Sequence, residues 1–444
     1  MDEWRGKRVT IFGLGSHGGG VGAARWLARA GARVTVTDQA DEQALAASVR
    51  ALDGVPIERW RLGSHHRDDL LAADAVVVNP AVKPDSPWVA SARTAGAVVT
   101  SEIELFLAAC PARVIGVTGT TGKSSTATML ARVLEADGRR AWLGGNLGGS
   151  LLDDLSGMTA DDLLVLELSS FQLHWLSDQA RLPSLAVLTN FSANHLDWHG
   201  TLDAYAAAKR RLFIHADAVV NLGKTEDNRW FSGAASRVIA PLDDGRMPEL
   251  AVPGDHQRAN AALAGAVAAA LGCRPDAIRR GLESFRGLPH RLQCVGEIEG
   301  RRLYNDSKAT SPAATLAALE ACGLRTWLLA GGAPRSDDLA PFVTQLAARA
   351  AGAAFFGAIA RELLALASRG APNFSCAAFD DLPAALDWCW QHSRAGDAIV
   401  LSPACASFDA YRDYAARGEH FIALVDELLA SAARGAKLLS DSGA

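Results

Sequence analysis

The chain has 444 residues, 21% of them charged and 49% hydrophobic, with a formal net charge of −5. At roughly 150 residues per domain this predicts about three domains, which excludes a small binding module. Gly (41) and Pro (17) sit near average usage, which excludes a collagenous or low-complexity chain, and the acidic balance argues against a nucleic-acid partner.

Strand-like and helix-like runs alternate along the chain. Arg8–Phe12 is apolar and β-branched, and a Gly-rich turn and an amphipathic stretch over residues 22–30 follow it. Strands are predicted next at 34–37, 75–78 and 98–99. The rhythm restarts at 114–117, again with a Gly-rich turn and a helix, and continues through 163–168, 185–189 and 218–221. It restarts once more at 326–330, 353–356 and 398–401. This is the βαβ pattern of parallel sheets covered on both faces. The reading is therefore α/β, with three domains: 1–104, 105–288 and 289–444. The first and third are expected to be Rossmann-like and the central one a P-loop ATPase type. The tail over residues 435–444 is small and polar and is expected to fray.

Seven cysteines (110, 273, 294, 322, 376, 389 and 405) include no C-x-x-C pair. An odd count in a chain this long predicts buried free thiols, not a disulfide framework or a metal site. No signal-peptide core follows Met1, and the longest apolar stretch, 261–273, is shorter than the ~20 residues a membrane helix needs. A soluble cytoplasmic chain without membrane insertion is expected.

Gly13-Leu14-Gly15-Ser16-His17-Gly18 fits G-x-G-x-x-G between a strand and a helix, and Asp38 ends the next strand, where an acidic residue often holds a ribose. Two explanations stand: a nucleotide site, or a tight turn that needs glycine for packing alone. The run Gly18-Gly19-Gly20 makes this loop looser than the usual fingerprint. The second turn is more specific. Gly119-Thr120-Thr121-Gly122-Lys123-Ser124-Ser125 links a buried strand to a helix. Successive backbone N–H groups there can cradle an anion at a helix N-terminus. Lys123 would reach the β- and γ-phosphates of ATP, and Ser124 would ligate Mg²⁺. The strict Walker spacing is not met, since its first Gly falls at Val117. Glu167 ends an apolar strand, where a lone charge is costly unless paired or metal-bound. Asn190 to Asp197 lies at another strand end, and His195 there is either a metal ligand or a satisfied loop histidine. His199 would suggest a zinc pair with it, but Gly200 argues against that. Lys209, taken alone, is a solvated helix lysine.

In this order, the blocks Thr118–Ser124, Glu167–Gln172, Asn190–Asp197, Ala207–Lys209, His290–Arg291, Asn305–Thr310, Leu328–Gly332 and Leu401–Asp409 resemble the Mur ligase family, and the last three point to its glutamate-adding branch. The resemblance spans nearly the whole chain. It implies that glutamate is joined to the alanyl carboxyl of UDP-N-acetylmuramoyl-L-alanine in peptidoglycan precursor synthesis. ATP would become ADP and phosphate through an acyl phosphate, and the chain would act as a monomer. It makes Lys123, Glu167, His195 and Lys209 catalytic. Ser124, Glu167, His195 and a carbamylated Lys209 would hold Mg²⁺, two ions in all. Gly119, Thr120, Thr121, Gly122, Lys123, Ser124, Ser125, Asn260, Arg291 and Asp306 would bind ATP. Ser16, His17, Asp38, Asn79 and Pro80 would hold the UDP part and Asn146 the muramoyl part. Lys308, Thr310, Arg335, Ser407 and Tyr414 would hold glutamate.

The chain departs from the family pattern at Thr121, Gln257 and Ser311, each in place of an Asn. Arg335 stands for a common Lys and Tyr414 for a common Phe. The last two lie in the amino-acid pocket and leave D- or L-glutamate open. Two other functions compete. An NAD-dependent oxidoreductase would use the first Gly-rich turn but leaves the Lys123 loop unexplained. A regulatory P-loop ATPase would hydrolyse ATP with no amino acid present.

Overall fold

The computed structural model describes residues 2–221, 237–243, 245, 247–334 and 338–441. Three sheets are present. The first takes β1 (Arg8–Phe12), β2 (Arg33–Asp38), β3 (Ile57–Leu62), β4 (Ala75–Val78) and β5 (Val98–Thr100) in the order β3-β2-β1-β4-β5. The second takes β6 (Arg113–Thr118), β7 (Ala141–Gly145), β8 (Leu163–Glu167), β9 (Leu185–Leu188), β10 (Ala218–Asn221) and β11 (Arg237–Ile239) in the order β11-β10-β9-β6-β8-β7. The third takes β12 (Gln293–Ile298), β13 (Arg301–Asn305), β14 (Thr326–Gly331), β15 (Gly352–Phe356), β16 (Cys376–Phe379) and β17 (Ala398–Ala404) in the order β12-β13-β17-β14-β15-β16. Every pairing is parallel except β12 with β13. Parallel strands need crossover helices on the sheet faces, so central strands are buried on both sides and read as unbroken apolar runs. Each of β4, β8, β9, β14, β15 and β17 is buried along its whole length.

The chain divides into two compact units, residues 1–247 with 259–282, and 248–258 with 283–444. The first holds two sheets that share a core: Ile11, Val34 and Trp26 belong to one apolar cluster with Leu164, Leu166 and Ala186. The expected Glu104 boundary falls inside the helix Glu102–Ala109, which leads from one sheet to the next. In the second unit, Tyr304, Leu328, Phe355 and Val400 lie under one face of the third sheet and Leu303, Leu329, Phe356 and Leu401 under the other.

All seven cysteines are free, six of them buried. Among the described residues no helix is long and apolar enough to cross a membrane.

Candidate active site

In the first unit, the phosphate loop leaves β6 and enters the helix Lys123–Ala136. Gly122 caps that helix at φ 79°, a left-handed conformation that favours glycine. A Cβ there would also lie 2.3 Å from Asn260 Oδ1, so the predicted adenine contact rests directly on the loop. The loop is stapled from below by the segment after β9. Asn190 accepts from Thr121 N–H (3.0 Å) and donates to Thr121 O (3.1 Å) and Oγ1 (3.0 Å). Its own carbonyl accepts from Thr120 N–H (3.1 Å). Thr120 and Thr121 thus spend their backbone N–H groups on the loop's shape, and the helix N-terminus that follows them is where the helix dipole favours an anion. Nothing in the local sequence around Asn190 marks this role. Asn190→Ala removes three side-chain hydrogen bonds of roughly 1 kcal/mol each. It is expected to raise the KM for ATP about tenfold, checked by initial-rate kinetics; an unchanged KM would contradict the stapling role.

Three charged side chains converge under this loop. Lys123 Nζ donates to Thr120 O (3.0 Å). Lys209 lies on the helix Leu202–Arg210 and is 1% exposed. The solvated lysine expected from sequence alone is therefore overturned, because the helix turns this face onto the loop. Its Nζ donates to Gly119 O (2.7 Å) and lies 4.8 Å from the centre of the Tyr205 ring. Burial and the neighbouring Lys123 push the Lys209 ammonium down to about 7, opposed by Glu167. Glu167 ends β8, 1% exposed; its Oε1 accepts from Asn146 Nδ2 (2.9 Å), while Oε2 is buried with no hydrogen-bond partner. Tyr205, which sequence reading missed, stands four residues before Lys209 on the same helix face and shares a hydrogen bond with Thr120 Oγ1 (3.1 Å). The i,i+4 spacing was the available signal.

His195 is exposed and caps a short helix at φ 53°. Its ring lies 4.9 Å from Phe171 and 6.4 Å from Tyr205. His199 is buried, shares a hydrogen bond with Ser170 Oγ (2.9 Å) and is pushed down to about 4 by burial and the nearby His174. It is a structural residue and no partner to His195 in a zinc pair. Among the described residues no group of three His, Cys, Asp or Glu side chains could hold a metal.

The N-terminal Gly-rich turn builds the other half of this unit's site. Asp38 Oδ2 accepts from Gly15 N–H (3.0 Å) and Oδ1 from Ala40 N–H (2.9 Å), so Asp38 shapes the turn itself. Asn79 donates to Gly13 O (3.2 Å), and a Cβ on Gly13 would meet its side chain at 2.7 Å. A cavity of about 250 Å³ opens here, walled by His17, Asn79 and Pro80 from the first sheet and by Asn146, Phe171 and Gln172 from the second. Four of the predicted sugar-nucleotide residues therefore share one cavity. Ser16 stands at the exposed end of the turn, with its hydroxyl 3.4 Å from His17 Nδ1. Indole N–H groups of Trp175 and Trp198 donate to the carbonyls of Val82 and Ala81 (3.1 Å each), and Ala81 lines the cavity.

In the second unit, Asp306 follows β13. Its Oδ1 accepts from Leu292 N–H (3.0 Å) and Oδ2 from Ser402 Oγ (2.8 Å). It thereby holds the turn that carries the exposed Arg291, where His290 and Leu292 adopt φ 58° and 41°. Burial raises the Asp306 carboxyl from 3.8 to about 6. Between those values the folded chain holds a proton that the unfolded chain has lost, so stability falls as pH rises, and the cost is complete above 6. Asp306→Asn is expected to raise the unfolding midpoint at pH 7.5, by about 2–4 °C for each kcal/mol recovered, and to lose this gain near pH 4. A calorimetric scan at both pH values checks it, and no gain at pH 7.5 would contradict it.

Near the ends of β13 and β17 lie the predicted amino-acid residues. Lys308 Nζ is 5.2 Å from the centre of the Tyr414 ring, Tyr414 O accepts from Ser307 Oγ (2.7 Å), and Ser407 is buried. Thr310 follows Lys308, its N–H donating to the Lys308 carbonyl (3.0 Å). Arg335 lies outside the described residues. Beneath them is Arg417, fully buried, which sequence reading missed because nothing in its helical neighbourhood marks it. It donates to Ser307 O (2.9 Å) and Oγ (3.0 Å), Cys405 O (3.1 Å) and Ala406 O (3.3 Å), tying both strand ends together. Ser311 caps the helix Pro312–Cys322 by accepting from Ala314 N–H (3.4 Å), which gives that departure from the family pattern a structural role.

Three family models match consecutive parts of the chain: a Mur ligase MurD-like N-terminal domain over residues 7–101, a Mur ligase middle domain over 117–240, and a Mur ligase glutamate ligase domain over 290–405. The UDP-N-acetylmuramoylalanine--D-glutamate ligase of Roseiflexus sp. (strain RS-1) is 38% identical, with 95% of this chain and 98% of that protein covered. The protein of the same name from Geobacillus kaustophilus (strain HTA426) is 36% identical over the same shares. The crystal structure of MurF ligase from Thermotoga maritima in complex with ADP is 18% identical, with a TM-score of 0.51 and 97% of this chain and 96% of that chain covered, a likeness of fold. Together these matches run nearly end to end, and the chain belongs to the Mur ligase family.

Proposed function

We propose that the protein is an ATP-dependent ligase that joins D-glutamate to UDP-N-acetylmuramoyl-L-alanine in cytoplasmic peptidoglycan precursor synthesis. The observation that carries the chemistry is the convergence of Lys123, Lys209 and Glu167 under a strand–loop–helix phosphate cradle. The relatives at 36–38% identity carry the D-glutamate ligase name and supply the substrate pair.

ATP lies on Gly119 to Ser125, with Asn260 toward the base. UDP-N-acetylmuramoyl-L-alanine takes the cavity between the Gly-rich turn and Asn146, so its alanyl end points toward the Glu167 side. The alanyl carboxylate attacks the γ-phosphorus; the bond to the β–γ bridging oxygen breaks and ADP leaves. Charge builds on the phosphoryl oxygens, and Lys123 is already placed to receive it. The neutral amine of D-glutamate then attacks the acyl carbon, the carbon–oxygen bond to the phosphoryl group breaks, and the amide forms as phosphate leaves with the proton the amine has lost. Lys308, Thr310, Arg335, Ser407 and Tyr414 would hold that glutamate, and the family resemblance also gives Arg291 and Asp306 to ATP.

The orphaned, buried Glu167 Oε2 fits a hard cation. Ser124, Glu167, His195 and Lys209, if carbamylated, would hold Mg²⁺. When bound, Mg²⁺ supplies charge neutralisation on phosphate oxygens and a fixed template for their approach. Lys209 suits carbamylation because burial beside Lys123 favours its neutral amine, the form that adds CO₂. The proposal is tested by following phosphate release with each co-substrate left out in turn.

A further inference from the structure

We propose that Glu102 is a specificity residue of the sugar-nucleotide cavity: its carboxylate accepts a hydrogen bond from a hydroxyl or amide N–H of the substrate's sugar part. The proposal rests on the sugar-nucleotide assignment of that cavity and adds a residue to it. Among the described residues Glu102 is the one acidic residue lining the cavity, and it begins the helix Glu102–Ala109, so backbone geometry fixes where it stands. Among the described residues its one hydrogen-bond donor is the Ser150 hydroxyl, bound to Oε1. Ser150 is itself wedged against the helix Gly19–Arg29, since a Cβ on Gly22 would meet it at 2.3 Å. Oε2 lies about a van der Waals contact from Gly19, 4.0 Å from where a Cβ there would stand. Among the described residues Oε2 has no protein donor, and Glu102 is only half-buried, so a ligand donor can take the place of water there.

The test compares wild type, Glu102→Ala and Glu102→Gln at pH 8.5, where Glu102 is ionised although burial raises its carboxyl to about 7, by calorimetric binding of UDP-N-acetylmuramoyl-L-alanine and UDP, with initial-rate kinetics alongside. Glu102→Ala is expected to weaken binding of UDP-N-acetylmuramoyl-L-alanine and raise its KM by about 10- to 100-fold, the loss of a hydrogen bond to a charged group. The KM for ATP should stay within about twofold, which a general loss of structure would not allow. Glu102→Gln keeps an acceptor oxygen and should lose less affinity than Glu102→Ala; it also serves if the Ala variant fails to fold. An unchanged KM for the sugar nucleotide in both variants, equal increases in both KM values, or tighter UDP-N-acetylmuramoyl-L-alanine binding in the Gln variant would each overturn the proposal. If wild type binds neither UDP nor UDP-N-acetylmuramoyl-L-alanine, the assignment of the cavity itself fails, a result separate from all of these.

Discussion

Lys123→Ala should lower phosphate release by at least about 1,000-fold, the loss expected when a preplaced cation on the transferring phosphoryl group is removed. The fold should survive. Lys123 opens its helix and is only partly buried, and its Nζ donates to Thr120 O, a carbonyl on an already stapled loop. The loop's shape is held by Asn190 and Thr189, neither of which depends on the lysine. Circular dichroism and the unfolding midpoint should therefore match wild type while turnover collapses. Turnover near the wild-type rate would remove Lys123 from the chemistry and with it the phosphate-loop assignment.

Lys209→Ala should be nearly as damaging, about 100- to 1,000-fold in turnover, and for a different reason. Its Nζ is enclosed, touches a carbonyl, a hydroxyl and an aromatic face among the described residues, and feels the charges of both Lys123 and Glu167. A lysine used as a simple phosphate cation would not need its ammonium brought down to about 7. A lysine that must carry a carboxylate does, since the neutral amine is the reactive form. Deleting the side chain leaves a void where a small carboxylate can stand in for the carbamate, so acetate or formate should restore part of the lost turnover to Lys209→Ala and none to Lys123→Ala. Full activity in Lys209→Ala, or a failure of every small carboxylate to rescue it, would contradict the carbamate. The wild-type enzyme gives an independent check. Because the ammonium is lowered from 10.5 to about 7, activity should depend on dissolved CO₂ and fall steeply below pH 7, where protonation competes with carbamylation.

The central strands were legible because burial on both faces leaves an unbroken apolar run. β1 and β10 were read with their ends in place, and β4 likewise. The strands that went unread are mostly sheet edges. β3 (Ile57–Leu62), β7 (Ala141–Gly145) and β16 (Cys376–Phe379) each keep one side partly open, and β3 carries Glu58, Arg59 and Arg61 there. Half-exposed short runs lack the apolar signature, so periodicity had nothing to count. The site divides the same way. Gly122, Lys123 and Glu167 were visible because a phosphate loop and a lone charge at a strand end are local patterns. Asn190, Glu102 and Arg417 act through contacts 69, 48 and 110 residues away, and no local spacing announces such pairs. Lys209 shows the limit most directly: its local sequence is that of an exposed helix lysine, and only the docking of that helix on Gly119 makes it a buried amine.

The most direct test of the account is an ATP-hydrolysis assay on the purified wild-type protein with Mg²⁺, in four arms: ATP alone, ATP with UDP-N-acetylmuramoyl-L-alanine, ATP with D-glutamate, and all three together, with L-glutamate replacing D-glutamate as a control. Multiple turnovers of phosphate release are predicted in the complete D-glutamate mixture alone, with an amide product formed in equal amount. Steady hydrolysis of ATP without the amino acid, or equal turnover with L-glutamate, would contradict it.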